Sequence, residues 1–158
     1  MKYSKPIETP MFTRLKLTKD DDSKEVDQTL YRSMIGKLQY VVHTRPNIVL
    51  AVDIVERFLT KPRENHMMPI KRILRYLKGI EDYFLWYKLR GNINLNVFTD
   101  ADWARNIDDR KSTSGGAFFL GKRLVFWTSK KQNCTSQSMI EAKYVAVVVN
   151  FSNIVWFK

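Results

Sequence analysis

The spacing of apolar residues changes at Gly79, and this change most constrains the fold. Between Gln28 and Gly79 apolar residues recur every three or four positions, as on amphipathic helices. After Gly79 they alternate or form short runs rich in aromatic and β-branched residues, which is typical of strands. The sequence therefore predicts an α+β chain in which a small helical unit precedes a sheet.

Three helices are predicted in the first part. The first begins at Gln28, and Thr44 with Pro46 ends it and opens the second as cap and first-turn residue. Thr60 and Pro62 repeat this pattern before a third helix, which runs to Lys78. The residues predicted to face the core are Leu30, Met34, Ile35, Leu38, Ile48, Ala51, Val52, Val55, Phe58, Leu59, Ile70, Ile73, Leu74 and Leu77.

The second part is predicted to hold four strands and one helix. The strands cover residues 83–89, 93–100, 116–120 and 124–127, with a tight hairpin turn at Gly121. A strongly apolar helix follows over residues 138–157, with Ala142, Val145, Ala146, Val149, Ile154 and Trp156 as its apolar positions. We expect this helix to pack on the sheet.

Residues 1–27 form a third region. Pro6, Pro10 and the charged run at residues 19–25 predict an extended, mobile leader. The chain is thus divided into a leader at 1–27, a helical unit at 28–79 and a sheet region at 80–158.

Charge and apolar content indicate the kind of partner. Against 16 acidic residues stand 27 Lys and Arg, a formal charge of +11, which favours polyanions through counterion release. No apolar stretch reaches the roughly 20 residues of a membrane span, and no signal peptide is visible. We therefore expect an intracellular protein, cytoplasmic or nuclear, without a membrane partner. Cys134 is the only cysteine, which excludes an internal disulfide and favours a reducing compartment.

Three basic groups are candidate nucleic-acid contacts. They are Lys71, Arg72 and Arg75 on the outer face of the third helix, Arg110 and Lys111, and Lys130 and Lys131 near Trp127. Residues 110–116 also combine cations, hydroxyls and glycines that are able to cradle a phosphate. Residues 110–116 lack the spacing of a nucleotide-binding loop, so composition alone favours a solvated turn. For the basic groups, the simpler interpretation is that they are exposed loop charges, as most short basic clusters are.

Two acidic residues are candidate metal ligands. Asp100 is predicted at the end of a strand and Glu141 at the start of the last helix, a combination that suits a metal-dependent phosphodiesterase site. Each also has a simpler interpretation. Asp100 is able to form a turn, and Ser138-x-x-Glu141 is a capping box. His43 and His66 lack the spacing of a zinc site.

The joint order of several motifs resembles the RNase H domain of copia-type retrotransposon polyproteins. The motifs are Asp100-Ala101-Asp102-Trp103-Ala104, Asp109-Arg110-Lys111-Ser112-Thr113-Ser114-Gly115, Phe118-Phe119-Leu120-Gly121, Trp127-Thr128-Ser129-Lys130-Lys131-Gln132 and Ser138-x-x-Glu141-Ala142-x-Tyr144-Val145-Ala146. Upstream tracts resemble the end of the reverse transcriptase in the same polyproteins. These tracts are residues 31–40, Thr44-Arg45-Pro46-Asn47-Ile48 and residues 71–79.

The resemblance implies a role for the two acids. Asp100 matches the first catalytic aspartate and Glu141 the catalytic glutamate, which in the family hold Mg²⁺ with two further acids and cut RNA in RNA–DNA hybrids. The resemblance gives Asp102 no role as a metal ligand. We expect it to form a turn or to make hydrogen bonds behind the site, to the residues that hold the metal. Lys143 and Gly116 depart from the family, which usually has an acid and an aromatic residue there.

The family's remaining acids lie beyond Lys158. We therefore expect an incomplete RNase H-like mixed sheet whose first strand has one unpaired edge, open to self-association. We also expect no efficient cleavage by this chain alone, because two carboxylates hold a metal pair poorly.

Two alternatives to an RNase H fragment remain. One is a residual nucleic-acid-binding module without catalysis. The other is a secreted effector, since Arg72-Ile73-Leu74-Arg75 spells the Arg-x-Leu-Arg tetrapeptide of oomycete effectors. We interpret that tetrapeptide as a chance match, because it lies in an amphipathic helix whose Ile73 and Leu74 are predicted to be buried.

Overall fold

A computed structural model of the chain describes residues 3–13, 15–87 and 94–156. The chain divides into two compact units, Met1–Phe84 and Leu85–Lys158. The first unit is helical and the second contains the described strands, so the predicted change at Gly79 lies close to the division between the units.

Within the described part of the first unit there are three α-helices. They are α1 (Gln28–Val42), α2 (Val49–Glu56) and α3 (Glu64–Gly79), with a 3-10 turn at Pro46–Ile48. The caps differ from the prediction. The Thr44 hydroxyl donates to Val41 O at the end of α1, and the residue before α3 is Arg63 instead of Thr60. Pro46 does open the 3-10 turn, where its missing N–H has no cost.

The core of this unit contains most of the predicted residues. Its buried members are Tyr31, Ile35, Leu38, Ile48, Ala51, Val52, Val55, Phe58, Met67, Ile70 and Ile73. Leu30 was predicted inside but is 51% exposed, because the buried stripe of α1 follows its neighbour Tyr31 with Ile35 and Leu38. The Tyr31 hydroxyl donates to Val55 O at 2.8 Å, which allows this polar group to be buried.

The leader has irregular backbone, but it is held against the helices. Met11, Leu17 and Val26 pack against the core, and Val26 N donates to Pro62 O at 3.2 Å. His66, which is buried and stacked on Phe58 at 3.9 Å, lies 2.9 Å from Thr18 O through Nε2. The mobility of residues 1–27 stays a prediction, but α3 supplies them with partners that composition does not reveal.

The described residues of the second unit form three strands and one helix. The strands β1 (Leu95–Asp102), β2 (Thr113–Leu120) and β3 (Arg123–Lys131) pair antiparallel in that order, and α4 covers Met139–Trp156. Gly121 makes the predicted β2–β3 turn with a positive φ of 62°. Residues 83–87 of the first predicted strand have no regular structure, and the rest of that segment lies outside the described residues.

The sheet is antiparallel throughout its described strands, whereas a mixed sheet was predicted. Parallel neighbours need a crossover, and α4 follows the last described strand. Within the described residues β1 pairs only with β2, so it forms one edge of the sheet. The predicted unpaired edge is therefore present in this part of the chain.

The helix α4 packs on one face of the sheet through small residues. Ala142 and Ala146 are buried with Ala101 of β1. The side of α4 away from these alanines carries exposed apolar residues, among them Ile140, Tyr144, Val148 and Phe151. The predicted core residues Val149 and Trp156 are exposed as well. Nevertheless, no described helix combines the length and apolar content needed to span a membrane.

Candidate active site and basic surfaces

Asp100 lies within β1, two residues before the end of the strand. It is paired with Gly115 of β2, so the interpretation as a turn former is wrong. Ala101 is buried under α4, whereas Asp100 is exposed. Because successive strand residues point to opposite faces, the Asp100 carboxylate lies on the sheet face away from α4.

Glu141 lies in the first turn of α4 and takes part in its cap. The Glu141 N–H donates to Ser138 Oγ at 3.1 Å, as the capping-box prediction requires. The Glu141 carboxylate accepts from Gln137 N at 2.6 Å instead of from Ser138 N. One carboxylate oxygen of Glu141 is thus used to hold the backbone ahead of the helix.

The described residues do not fit a resident metal ion. No group of three or more Asp, Glu, His or Cys residues in this part of the chain is placed to hold one. Asp102, the nearest acid to Asp100 in sequence, accepts from Arg105 at 2.8 Å. Because Arg105 is not a candidate ligand, the expected role of Asp102 in hydrogen bonding behind the site stays a prediction. Asp100 and Glu141 therefore have no third carboxylate with them among the described residues.

The segment predicted as a phosphate cradle or solvated turn is mostly strand. Ser112, Thr113 and Ser114 are buried, so their hydroxyls are not presented to a ligand. Arg110 adopts a positive φ of 55° in the loop before them. Arg110, Lys111 and Ser112 of this segment lie on the loop before β2.

Lys131 is engaged in an ion pair with Asp109 at 2.5 Å. Partial burial opposes ionisation of Asp109, but the hydrogen bonds from Lys131 and the Lys111 amide, together with both lysine charges, lower its pKa. Lys130 points away and is exposed. Of the two lysines predicted here as nucleic-acid contacts, one is thus paired and the other exposed.

Gln132 joins three elements through buried hydrogen bonds that the sequence did not reveal. Its Nε2 donates to Ser114 Oγ at 2.9 Å and to Ala142 O at 2.8 Å. Its Oε1 accepts from Ser136 Oγ at 3.2 Å. These bonds connect β2 and the start of α4, so the side chain that follows Lys130 and Lys131 in sequence has a structural role. The only feature of the sequence that pointed to this structural role was the position of Gln132 between the strand and helix motifs.

The basic residues of α3 also have partners within the chain. Arg72 donates to Thr9 O at 3.1 Å, and Arg75 donates to Lys5 O at 2.8 Å. Lys71 is exposed. Two of the three α3 residues predicted to contact nucleic acid therefore hold the leader in this structure.

Known proteins resemble the chain over almost all of its length. The retrovirus-related Pol polyproteins from transposons RE2 and RE1 of Arabidopsis thaliana are 38% and 39% identical over 99% and 97% of this chain. The secreted RxLR effector protein 161 of Plasmopara viticola is 37% identical over 80% of this chain and 89% of its own length. No protein-family model matches the chain, and no solved structure matches it at a significant level.

The order of motifs and the extent of these matches define a retroelement polyprotein sequence. The chain belongs to the family of copia-type retrotransposon Pol polyproteins. It spans about a tenth of the length of the Arabidopsis relatives, 11% and 10%.

Proposed function

We propose that the chain is the part of a copia-type polyprotein in which the reverse transcriptase ends and an RNase H-like domain begins. The match to transposon polyproteins over 99% of the chain carries this proposal. The order of three antiparallel strands and a helix supports it, with Asp100 in β1 and Glu141 in the first turn of α4.

The proposed RNase H-like unit does not cleave RNA efficiently with its described residues alone. Asp100 is exposed on the sheet face away from α4, and Glu141 is held by Gln137 N. The described residues contain no group of three metal-binding side chains. Two carboxylates leave most positions around Mg²⁺ to water or substrate, so the metal is bound weakly.

Cleavage of a labelled RNA–DNA hybrid with Mg²⁺ tests this proposal. We expect the chain and its Asp100→Asn variant to show the same background rate. Cleavage that is lost in Asp100→Asn but kept in Asp108→Asn, a change at an exposed loop acid, would contradict the proposed inactivity.

Association with nucleic acid is a second candidate, favoured by charge. The chain carries a formal charge of +11, and the guanidinium groups of Arg72 and Arg75 make no ion pair with any residue that the structure describes. Retention of a hybrid that weakens steeply with salt and is unchanged in Asp100→Asn supports this function. Retention that does not depend on salt contradicts it.

An effector role would rest on the name of the Plasmopara viticola relative and on the tetrapeptide at residues 72–75. In this chain the tetrapeptide lies inside α3, Ile73 is fully buried, and Arg72 and Arg75 hold the leader. These contacts give residues 72–75 a structural role in the folded chain. We therefore favour the RNase H-related proposal over an effector role.

A further inference from the structure

The outer side of α3 carries four cations over two turns, Lys71, Arg72, Arg75 and Lys78, here called the α3 basic face. A segment of irregular backbone, residues 3–13, lies along it and is here called the strap. Its early residues Ser4 and Lys5 contact Lys78 and Arg75, and Thr9 contacts Arg72. The strap therefore runs antiparallel to α3.

Arg72 contacts the strap through two hydrogen bonds and one aromatic ring. Its Nε donates to Thr9 O at 3.1 Å and its Nη2 to Thr9 Oγ1 at 2.7 Å, while the guanidinium lies 4.0 Å from the centre of the Phe12 ring. Arg75 Nε donates to Lys5 O at 2.8 Å, and Lys78 Nζ to Ser4 O at 3.0 Å. Three cations thus contact the strap.

The partners of these two arginines on the strap are neutral. They are carbonyl oxygens, one hydroxyl and one aromatic ring. A phosphate oxygen carries negative charge, so it attracts a guanidinium group by a charge–charge interaction that a neutral acceptor does not provide. The strap therefore occupies the donors of the α3 basic face without neutralising its charge through these contacts.

The strap is also weakly anchored. None of its described residues is buried, and Phe12 is 45% exposed. The arginine and lysine contacts are exposed, where each contributes little to stability. Segments with few buried contacts open at low free energy, so a stronger ligand is able to displace this one.

We infer that the strap and a phosphodiester backbone compete for the α3 basic face. The inference rests on the proposed association with nucleic acid, and it assigns regulation of that binding to residues 3–13. The donors on Arg72, Arg75 and Lys78 that hold the strap are the ones that phosphates would take. Apparent affinity for nucleic acid is then the intrinsic affinity multiplied by the fraction of molecules with the strap released.

A reversible crosslink tests the competition in the full-length chain. A Cβ on Gly79 would lie 3.1 Å from Pro6 Cβ, slightly less than the roughly 3.5–4.5 Å that disulfides span. Pro6→Cys and Gly79→Cys, in a Cys134→Ser background that leaves no other thiol, therefore lock the strap in place when oxidised. The reduced form of the same protein is its matched control.

Binding of a labelled RNA–DNA hybrid at low salt is measured by fluorescence anisotropy in both redox states. We expect oxidation to weaken binding roughly tenfold by removing the strap-free population. It should also reduce the slope of log affinity against log salt by about 2, because phosphate contacts are lost. Reductant restores both values, and the Pro6→Cys, Cys134→Ser protein shows no redox effect.

Phe12→Ala tests the same inference in the opposite direction. It removes the ring under Arg72, so we expect tighter hybrid binding than in the unaltered chain. Salt-dependent binding that is equal in both redox states overturns the competition and leaves nucleic-acid association standing, with Arg110 or Lys130 as its source. Failure of every variant and of the unaltered chain to bind the hybrid overturns both.

Discussion

The side chain of Asn150 occupies the space above Gly116. A Cβ at position 116 would collide with the Asn150 amide and lie 2.7 Å from its Cγ and 3.0 Å from Thr128 Cγ2. Asn150 Nδ2 donates to Gly115 O at 3.2 Å and to Ala146 O at 2.9 Å. Asn150 of α4 therefore fills the space that a side chain at Gly116 of β2 would take. This explains why glycine is accommodated at a position where an aromatic residue is expected from the family resemblance.

Gly116→Ala should destabilise the second unit by about 1–3 kcal/mol, because the added methyl group overpacks a site filled by Asn150. The free energy of unfolding in urea measures this cost. Asn150→Ala in the same chain removes the obstruction, so the two changes should couple by about 1 kcal/mol or more. Strict additivity would show that Asn150 moves away freely.

Gln132→Ala should destabilise the second unit by about 2–3 kcal/mol. The change leaves the buried Ser114 hydroxyl, Ser136 hydroxyl and Ala142 carbonyl without the partner that connects them. Amide hydrogen exchange at the start of α4 should rise as well. Lys130→Ala, an exposed change on the neighbouring strand, is the control and should stay within about 0.5 kcal/mol. An equal effect of both would contradict the role of Gln132.

Tyr31 should make stability fall at alkaline pH. Burial raises the pKa of its phenol above the ordinary 10.0. Below pH 10 the phenol keeps its proton in both states, and its contribution to stability is complete. Above pH 10 the unfolded chain loses this proton while the folded chain retains it, so stability falls as pH rises, by at most about 1.4 kcal/mol per pH unit.

Tyr31→Phe should remove this part of the pH dependence above pH 10, at a cost of about 1 kcal/mol near neutrality from the lost bond to Val55 O. Urea unfolding across the alkaline range measures both effects. Tyr40→Phe, at a position 82% exposed, is the matched control. The same alkaline slope in both variants would contradict the assignment to Tyr31.

Millimolar Mg²⁺ should leave the melting temperature unchanged. A ligand that binds the folded state raises stability, and the described residues contain no group of three metal-binding side chains. Thermal unfolding of the chain and of Asp100→Asn, with and without Mg²⁺, provides the measurement. A rise in melting temperature that requires Asp100 would show that a metal binds at that carboxylate.

Local features of the sequence predicted local features of the structure well. Helical spacing identified α1, α2 and α3, and Gly121 marked the β2–β3 turn because a positive φ favours glycine. Ser138 and Glu141 predicted the start of α4 because their hydrogen bond spans three residues. Asp100 was misplaced at a strand end, since pairing with Gly115 extends β1 to Asp102.

Relationships over long separations were not predictable in the same way. The strap was predicted to be mobile from its own composition, but its partners Arg72 and Arg75 lie more than sixty positions away. Gln132 received no role from its neighbours in sequence, although its hydrogen bonds reach Ser114 and Ala142. In both cases the side chain's neighbours in space, and not those in sequence, determine its role.

The sequence by itself determined the α+β class, the helices and the copia-type family, because periodicity and motif order are properties of the chain alone. Only the tertiary structure decided the environment of the candidate residues. It placed Asp100 on the face away from α4, used Glu141 in a helix cap and covered the α3 basic face with the strap. The physical reason is that burial, hydrogen bonding and charge pairing depend on which distant segments pack together.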